Sequence, residues 1–152
     1  MDEIAKLTDV AAVKALSSIV IAWSNHRGLE ALALALQTRH QASTAFDESP
    51  DWAKGVPSAS PESGAFARKM LGYLASGSDD EVSAWTRSAV KVQLEPRGQA
   101  VDPISLSIVG VIIIGGILAA RVKKVPGAEF YEGIPKALAD VMKAGASMAL
   151  PS

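Results

Sequence analysis

Residues 104–120, ISLSIVGVIIIGGILAA, run for seventeen positions without a charge, and ten of them are large aliphatics. Asp102 and Pro103 bound the stretch on one side, and Arg121, Lys123 and Lys124 on the other. Whatever the chain folds into must hide this segment, because apolar surface left in water forfeits roughly 25 cal/mol per Å2.

Three structures can hide it. A helix of seventeen residues reaches about 25 Å at 1.5 Å per residue, near the short limit for a hydrocarbon layer of roughly 30 Å. Val101 and Val122 extend it slightly. A helix apolar all round also suits the centre of a helical bundle. The third structure is a β-hairpin, with Gly115-Gly116 as a two-residue turn between strands at 107–114 and 117–122. The β-branched run favours strands, whereas Leu118-Ala119-Ala120 does not.

The flanks bear on the membrane option. Basic residues follow the segment, so the positive-inside rule places the C-terminus on the cytoplasmic side. The first hundred residues would then have to cross. The N-terminus, MDEIAKLTDV, lacks the basic and apolar regions of a secretory signal. The nearest downstream aromatics, Phe130 and Tyr131, lie well past the end of the segment. The expectation is a cytoplasmic chain without a signal peptide. Its apolar helix stays sheltered in the fold, or meets a membrane only on a trigger or on oligomerisation.

The remainder of the sequence favours helix. It contains 26 alanines, the residue of highest helix propensity. Formal net charge is −1, with nine basic against eleven acidic residues in 1–94 and six against five in 95–152. This balance gives no electrostatic reason to expect nucleic acid as a partner. There is no cysteine, which excludes disulfides, thiolate nucleophiles and cysteine metal sites.

A first helix starts at Thr8 or Asp9 and runs to about Arg27, with Val10, Val13, Leu16, Val20 and Trp23 on its apolar face. Gly28 reads as its C′ residue. A second, Ala- and Leu-rich helix spans about 29–45. Residues 47–63 form a loop with three prolines, in which Trp52 is either a lid on the core or an exposed partner anchor. Pro61 opens a third helix with Phe66, Met70, Leu71 and Leu74 inward, and Gly77 ends it. Ser78 and Glu81 form a capping box for a fourth helix carrying Val82, Trp85 and Ala89. Val90 to Leu94 alternates in polarity and reads as a short strand. Residues 95–103 carry two prolines and a glycine and read as a linker. Arg121 to Val125 alternates again, and with Pro126-Gly127 and residues 128–132 reads as a small amphipathic β-hairpin. Gly133-Ile134-Pro135 opens a last helix to about Leu150. Ile134, Leu138, Val141, Met142 and Met148 face one way, and Lys136, Asp140 and Lys143 the other.

The expected fold is therefore mainly α. It has an N-terminal helical bundle (1–94), a linker (95–103), and a C-terminal part (104–152) comprising one very apolar helix (104–120), a small β-hairpin and an amphipathic helix.

Chemistry is sparse. His26 and His40 have no ligand partner at helical spacing, and no phosphate-binding glycine motif or nucleophile elbow is present. Asp47, Glu48, Asp51 and Glu62 cluster without EF-hand spacing and read as a solvated acidic loop. No catalytic residue, cofactor or metal site is assigned. The distinctive pattern is two offset small-xxx-small pairs, Gly115 with Ala119 and Gly116 with Ala120, which on a helix admit close approach of another backbone. Arg121, Lys123 and Lys124 beside them suit anionic headgroups.

The leading functional expectation is a non-enzymatic interaction or self-assembly module, able to engage or insert into a membrane through 104–120. Its partners are itself, another protein or lipid. The alternatives are a soluble structural protein with that helix buried in a homo-oligomer, and a serine hydrolase.

Overall fold

Residues 2–27, 61–77, 80–95, 108–123 and 127–147 of the chain are described by a computed structural model. The expected helix at 29–45, the loop up to Ser60, Ser78, and the linker from Pro96 to Pro103 lie outside those residues.

A 3-10 turn, Asp2–Lys6, leads into α1, Asp9–Arg27. Thr8 caps α1, its Oγ1 accepting from the Ala11 N–H at 3.1 Å. Asp9 follows in the first turn, where a negative charge complements the helix dipole. The four other long helices are α2 (Pro61–Ser76), α3 (Asp80–Leu94), α4 (Ile108–Lys123) and α6 (Lys136–Ser147), with a single turn, α5 (Ala128–Tyr131), before the last.

Helix α1 is buried on more than one side. Ala12, Ala15 and Leu16 are wholly inaccessible, and Val13, Ile19, Val20 and Trp23 nearly so. It can be, because it packs against α2, α3 and α4 together. Arg68 of α2 meets the start of α1, its Nη1 3.0 Å from the Asp9 Oδ1 and donating to the Leu7 carbonyl at 3.2 Å. Gly64, in the first turn of α2, lies against Asp9 as well, so these two helices start together and run the same way. Helix α3 runs against them, since Glu81 at its start meets His26 at the end of α1. Its junction with α2 is closed by the buried Ser83 Oγ, which donates to the Ala75 carbonyl at 2.6 Å.

Helix α4 packs against α1, α2 and α6, and every residue from Val111 to Ala120 is buried. One core joins Leu16, Phe66, Met70, Ile112, Ile117 and Met142.

Two expectations are corrected. Among the described residues there is no strand. Val90–Leu94 continues α3: Thr86, Ala89, Val90 and Gln93 are buried, a spacing of three and four, while Val92 and Leu94 are 46% and 36% exposed. Five alternating residues fit either period, and the preceding helix decides the matter. The β-hairpin at 121–132 is also absent. Arg121, Val122 and Lys123 form the last turn of α4, and Ala128–Tyr131 is helical. A hairpin pivoting on Gly115-Gly116 is excluded too, because both glycines are inside α4. A helix satisfies its own backbone polar groups, and a two-stranded ribbon in a helical core leaves its outer edges unpaired. Lys124, Val125 and Pro126 lie outside the described residues.

Among the described residues no helix is long and apolar enough to cross a membrane. The sixteen residues of α4 span about 24 Å at 1.5 Å per residue.

Candidate functional site

The four small residues singled out in the sequence are all buried in α4, Ala119 at 0% exposure and Ala120 at 2%. They do not form one flat face turned outward. Gly115 is turned to α1, where a Cβ would meet Leu16 Cγ and both Cδ atoms at 2.9–3.0 Å. Gly116 is turned to α6 and α2, where a Cβ would meet Met142 Sδ at 2.7 Å and Phe66 Cζ at 3.2 Å. The two glycines let three helices approach α4 more closely than any side chain permits.

Helix α6 is the outermost of these neighbours, and α4 is its principal helical contact. It covers α4 with Leu138, Val141 and Met142, all buried, and turns Lys136, Asp140 and Lys143 to solvent, as their spacing predicts. Met148 lies outside the described residues.

The chain leading into α6 is pinned as far as Glu132. Phe130 is fully buried, its ring 4.8 Å from that of Tyr73 and 4.9 Å from that of Tyr131. The Lys69 ammonium donates to the Glu132 carbonyl at 2.9 Å. Burial lowers the Lys69 pKa from its usual 10.5 against the opposing pull of Glu132 and Glu129. Burial raises the Tyr73 pKa, with Glu129 and Glu132 adding to the shift, and burial alone raises that of Tyr131. Between Glu132 and α6 lie only Gly133, Ile134 and Pro135, and Gly133 has φ +81°. Glu62, Phe66 and Lys69 of α2, with Glu132, Gly133 and Ile134, line an open groove of about 250 Å3 at this corner.

Two of the basic residues after the apolar run, Arg121 and Lys123, are engaged within the chain. Lys123 Nζ lies 4.9 Å over the Tyr73 ring and 4.0 Å from Glu129 Oε1, and Arg121 is half-buried with a partner of its own. Lys124, Trp52 and His40 lie outside the described residues. His26 Nε2 is 3.2 Å from Glu81 Oε1, and its ring stands edge-on to Trp85 at 5.6 Å. Among the described residues no three His, Asp or Glu side chains gather as a metal site.

Sequence reasoning marked the glycines but not what they receive. Leu16 and Met142 stood out only as members of apolar faces, and helical periodicity carries no information about which helix faces which. The corner of Lys69, Tyr73 and Phe130 was not anticipated, since Phe130 lies about sixty residues from the other two. Comparison with protein-family models, curated proteins and solved structures finds no match to this chain.

Proposed function

We propose that the chain is a non-enzymatic interaction module whose working element is α4, sheathed by α6 until another apolar partner takes its place. The observation that carries this reading is that α4, buried without a break from Val111 to Ala120, is covered on one side by a helix whose principal packing is on α4. Removing that one helix bares an aliphatic stripe of a kind that monomeric proteins rarely leave in water. A lipid surface or a second protein copy can cover it.

A second reading is a soluble structural protein in which α4 never leaves the core. The close seating of Leu16 and Met142 on the two glycines favours it. The hydrolase alternative needs a serine hydroxyl at a histidine; the groups found at His26, the one histidine among the described residues, are a carboxylate and an indole ring.

The absence of cysteine allows a direct test. Gly116→Cys with Met142→Cys places two thiols where α4 and α6 touch, and an intrachain disulfide then locks the sheath. The reduced variant is expected to float with phosphatidylcholine–phosphatidylglycerol vesicles or to self-associate under mild denaturation, and the oxidised monomer to do neither. A protein that does neither in both redox states supports the structural reading and overturns this one.

A further inference from the structure

We infer that α6 exchanges between two copies of the chain, so that the face of α4 under α6 is the docking site for the α6 of a second copy. This rests on the reading that α4 is an association element, and it names the occupant.

Three observations converge. The surface offered by an emptied α4 is shaped for α6. Met142 sits over Gly116 where a side chain would collide, and Leu138 and Val141 flank it, fully or nearly buried. A second copy supplies the same helix with the same contacts. Exchange therefore trades identical interfaces, which is why swapping an element is a low-cost route to a dimer.

The second observation is where the chain is held and where it is not. Phe130 and the Lys69 to Glu132 hydrogen bond fix α5 to α2, so α5 stays behind when α6 leaves. The third is the link itself. Four residues, Glu132 to Pro135, turn the chain from α5 to α6, and one of them, Gly133, has the left-handed backbone. Short hinges invite exchange when the turn is strained, and Gly133 is the position where a side chain would introduce that strain.

Gly133 gives the decisive variant. A Cβ there meets nothing within 4 Å, and the position is exposed, so a side chain has open space in the closed form. It adds only the backbone penalty of positive φ, which weighs most on β-branched residues. Gly133→Val therefore disfavours the closed turn while leaving the α4–α6 interface unchanged. Gly133→Asn is the matched control, because asparagine tolerates this region.

The experiment measures the monomer–dimer constant of the full chain by light scattering after size exclusion. Gly133→Val is expected to raise it by roughly tenfold or more, and Gly133→Asn by much less. The same measurement is made with Gly116→Cys and Met142→Cys present, with and without Gly133→Val. These substitutions also remove the Met142 sulfur that a Cβ at position 116 would meet. After oxidation, the dimer peak is expected to run as a covalent dimer on a denaturing, non-reducing gel, and the monomer peak as a monomer.

A dimer peak that yields only internally linked monomers overturns the exchange but leaves the association reading standing, since the copies then meet elsewhere. An unchanged constant in a folded Gly133→Val also overturns the exchange. Monomers in every variant do the same, and vesicle flotation then decides the association reading on its own. If Gly133→Val loses its helical spectrum, the gel pattern of the double-cysteine chain alone decides.

Discussion

Gly116 of α4 lies directly under Met142 of α6, so close that a Cβ on the glycine would fall 2.7 Å from the methionine sulfur. Gly115 stands in the same relation to Leu16 of α1, but there the obstacle is a branched terminus met at three atoms. The difference decides what alanine does at each site. Leu16 and Met142 are both wholly inaccessible, but an unbranched thioether end can change rotamer within the core, whereas the branched end of Leu16 meets the new Cβ with all three of its terminal carbons. Each substitution gains about 1 kcal/mol of helix propensity, and overpacking costs roughly 1–3 kcal/mol. Gly116→Ala is expected to be near neutral. Gly115→Ala should be net destabilising by about 1 kcal/mol, with Leu16→Ala coupling to it in a double-mutant cycle. Urea denaturation of the wild type, the three single variants and the Leu16→Ala/Gly115→Ala double variant checks this, and equal effects at the two glycines would contradict it.

Phe66 and Trp85 separate in the same way. Phe66 is 3% exposed and touches the glycine strip, so Phe66→Ala should cost about 3–5 kcal/mol. Trp85 is only partly buried, packed on the edge of the core beside His26. Trp85→Ala should cost about 1–2 kcal/mol. Denaturant midpoints giving the reverse order would show that the α1–α3 side carries more of the core than α4 does.

These contrasts mark how far the sequence could be read. Thr8 as a cap, Pro61 as a helix start, the inward faces of α1 and α2, and the outward Lys136, Asp140 and Lys143 follow from local rules, because capping and periodicity act within one or two turns. The strands expected at 90–94 and 121–132 failed for a related reason. Val90-Lys91-Val92 and Arg121-Val122-Lys123 are too short to carry a period, and each is the last turn of a helix set by what precedes it. The apolar run was visible at once, but its surroundings were not. Leu16, Phe66 and Met142 reach Gly115 and Gly116 from about 26 to 99 residues away in sequence, and pattern alone does not pair residues at such range.

The boundary at 95–103 is open to direct test. Helix α4 lies beyond it, yet α4 packs on α1 and α2 and fills the core between them. Residues 1–94 alone would bare Leu16, Phe66 and Met70 where α4 had been. The expected outcome is a fragment that keeps helical circular dichroism but unfolds without a sharp transition, or aggregates. A monomeric fragment with a cooperative urea transition would establish 1–94 as an independent domain.

The corner beneath α6 should make stability depend on alkaline pH in a way that two phenols report. Tyr73 and Tyr131 are the only tyrosines in the chain, so tyrosinate absorbance reads them alone. Both pKa values are raised above 10.0 in the fold, Tyr73 by burial and then by Glu129 and Glu132, Tyr131 by burial. Above pH 10 the unfolded chain therefore releases protons that the folded chain still holds. Stability present below that pH is lost as pH rises through the folded values. Lys69 acts in the opposite sense. Its pKa is lowered, chiefly by burial, so the unfolded chain holds the extra proton and stability rises with pH until 10.5 is passed. The two effects overlap near pH 10, and variants separate them. Tyr73→Phe should make the alkaline loss shallower and move the unfolding midpoint to higher pH. Lys69→Met should remove the rise that precedes it, while also breaking the hydrogen bond to the Glu132 carbonyl. Because that bond holds α5 in place, Lys69→Met should in addition loosen α6 at neutral pH, seen as faster amide exchange in 136–147. A titration in which both phenols ionise at the unfolded value while the chain stays folded would refute this account of the corner.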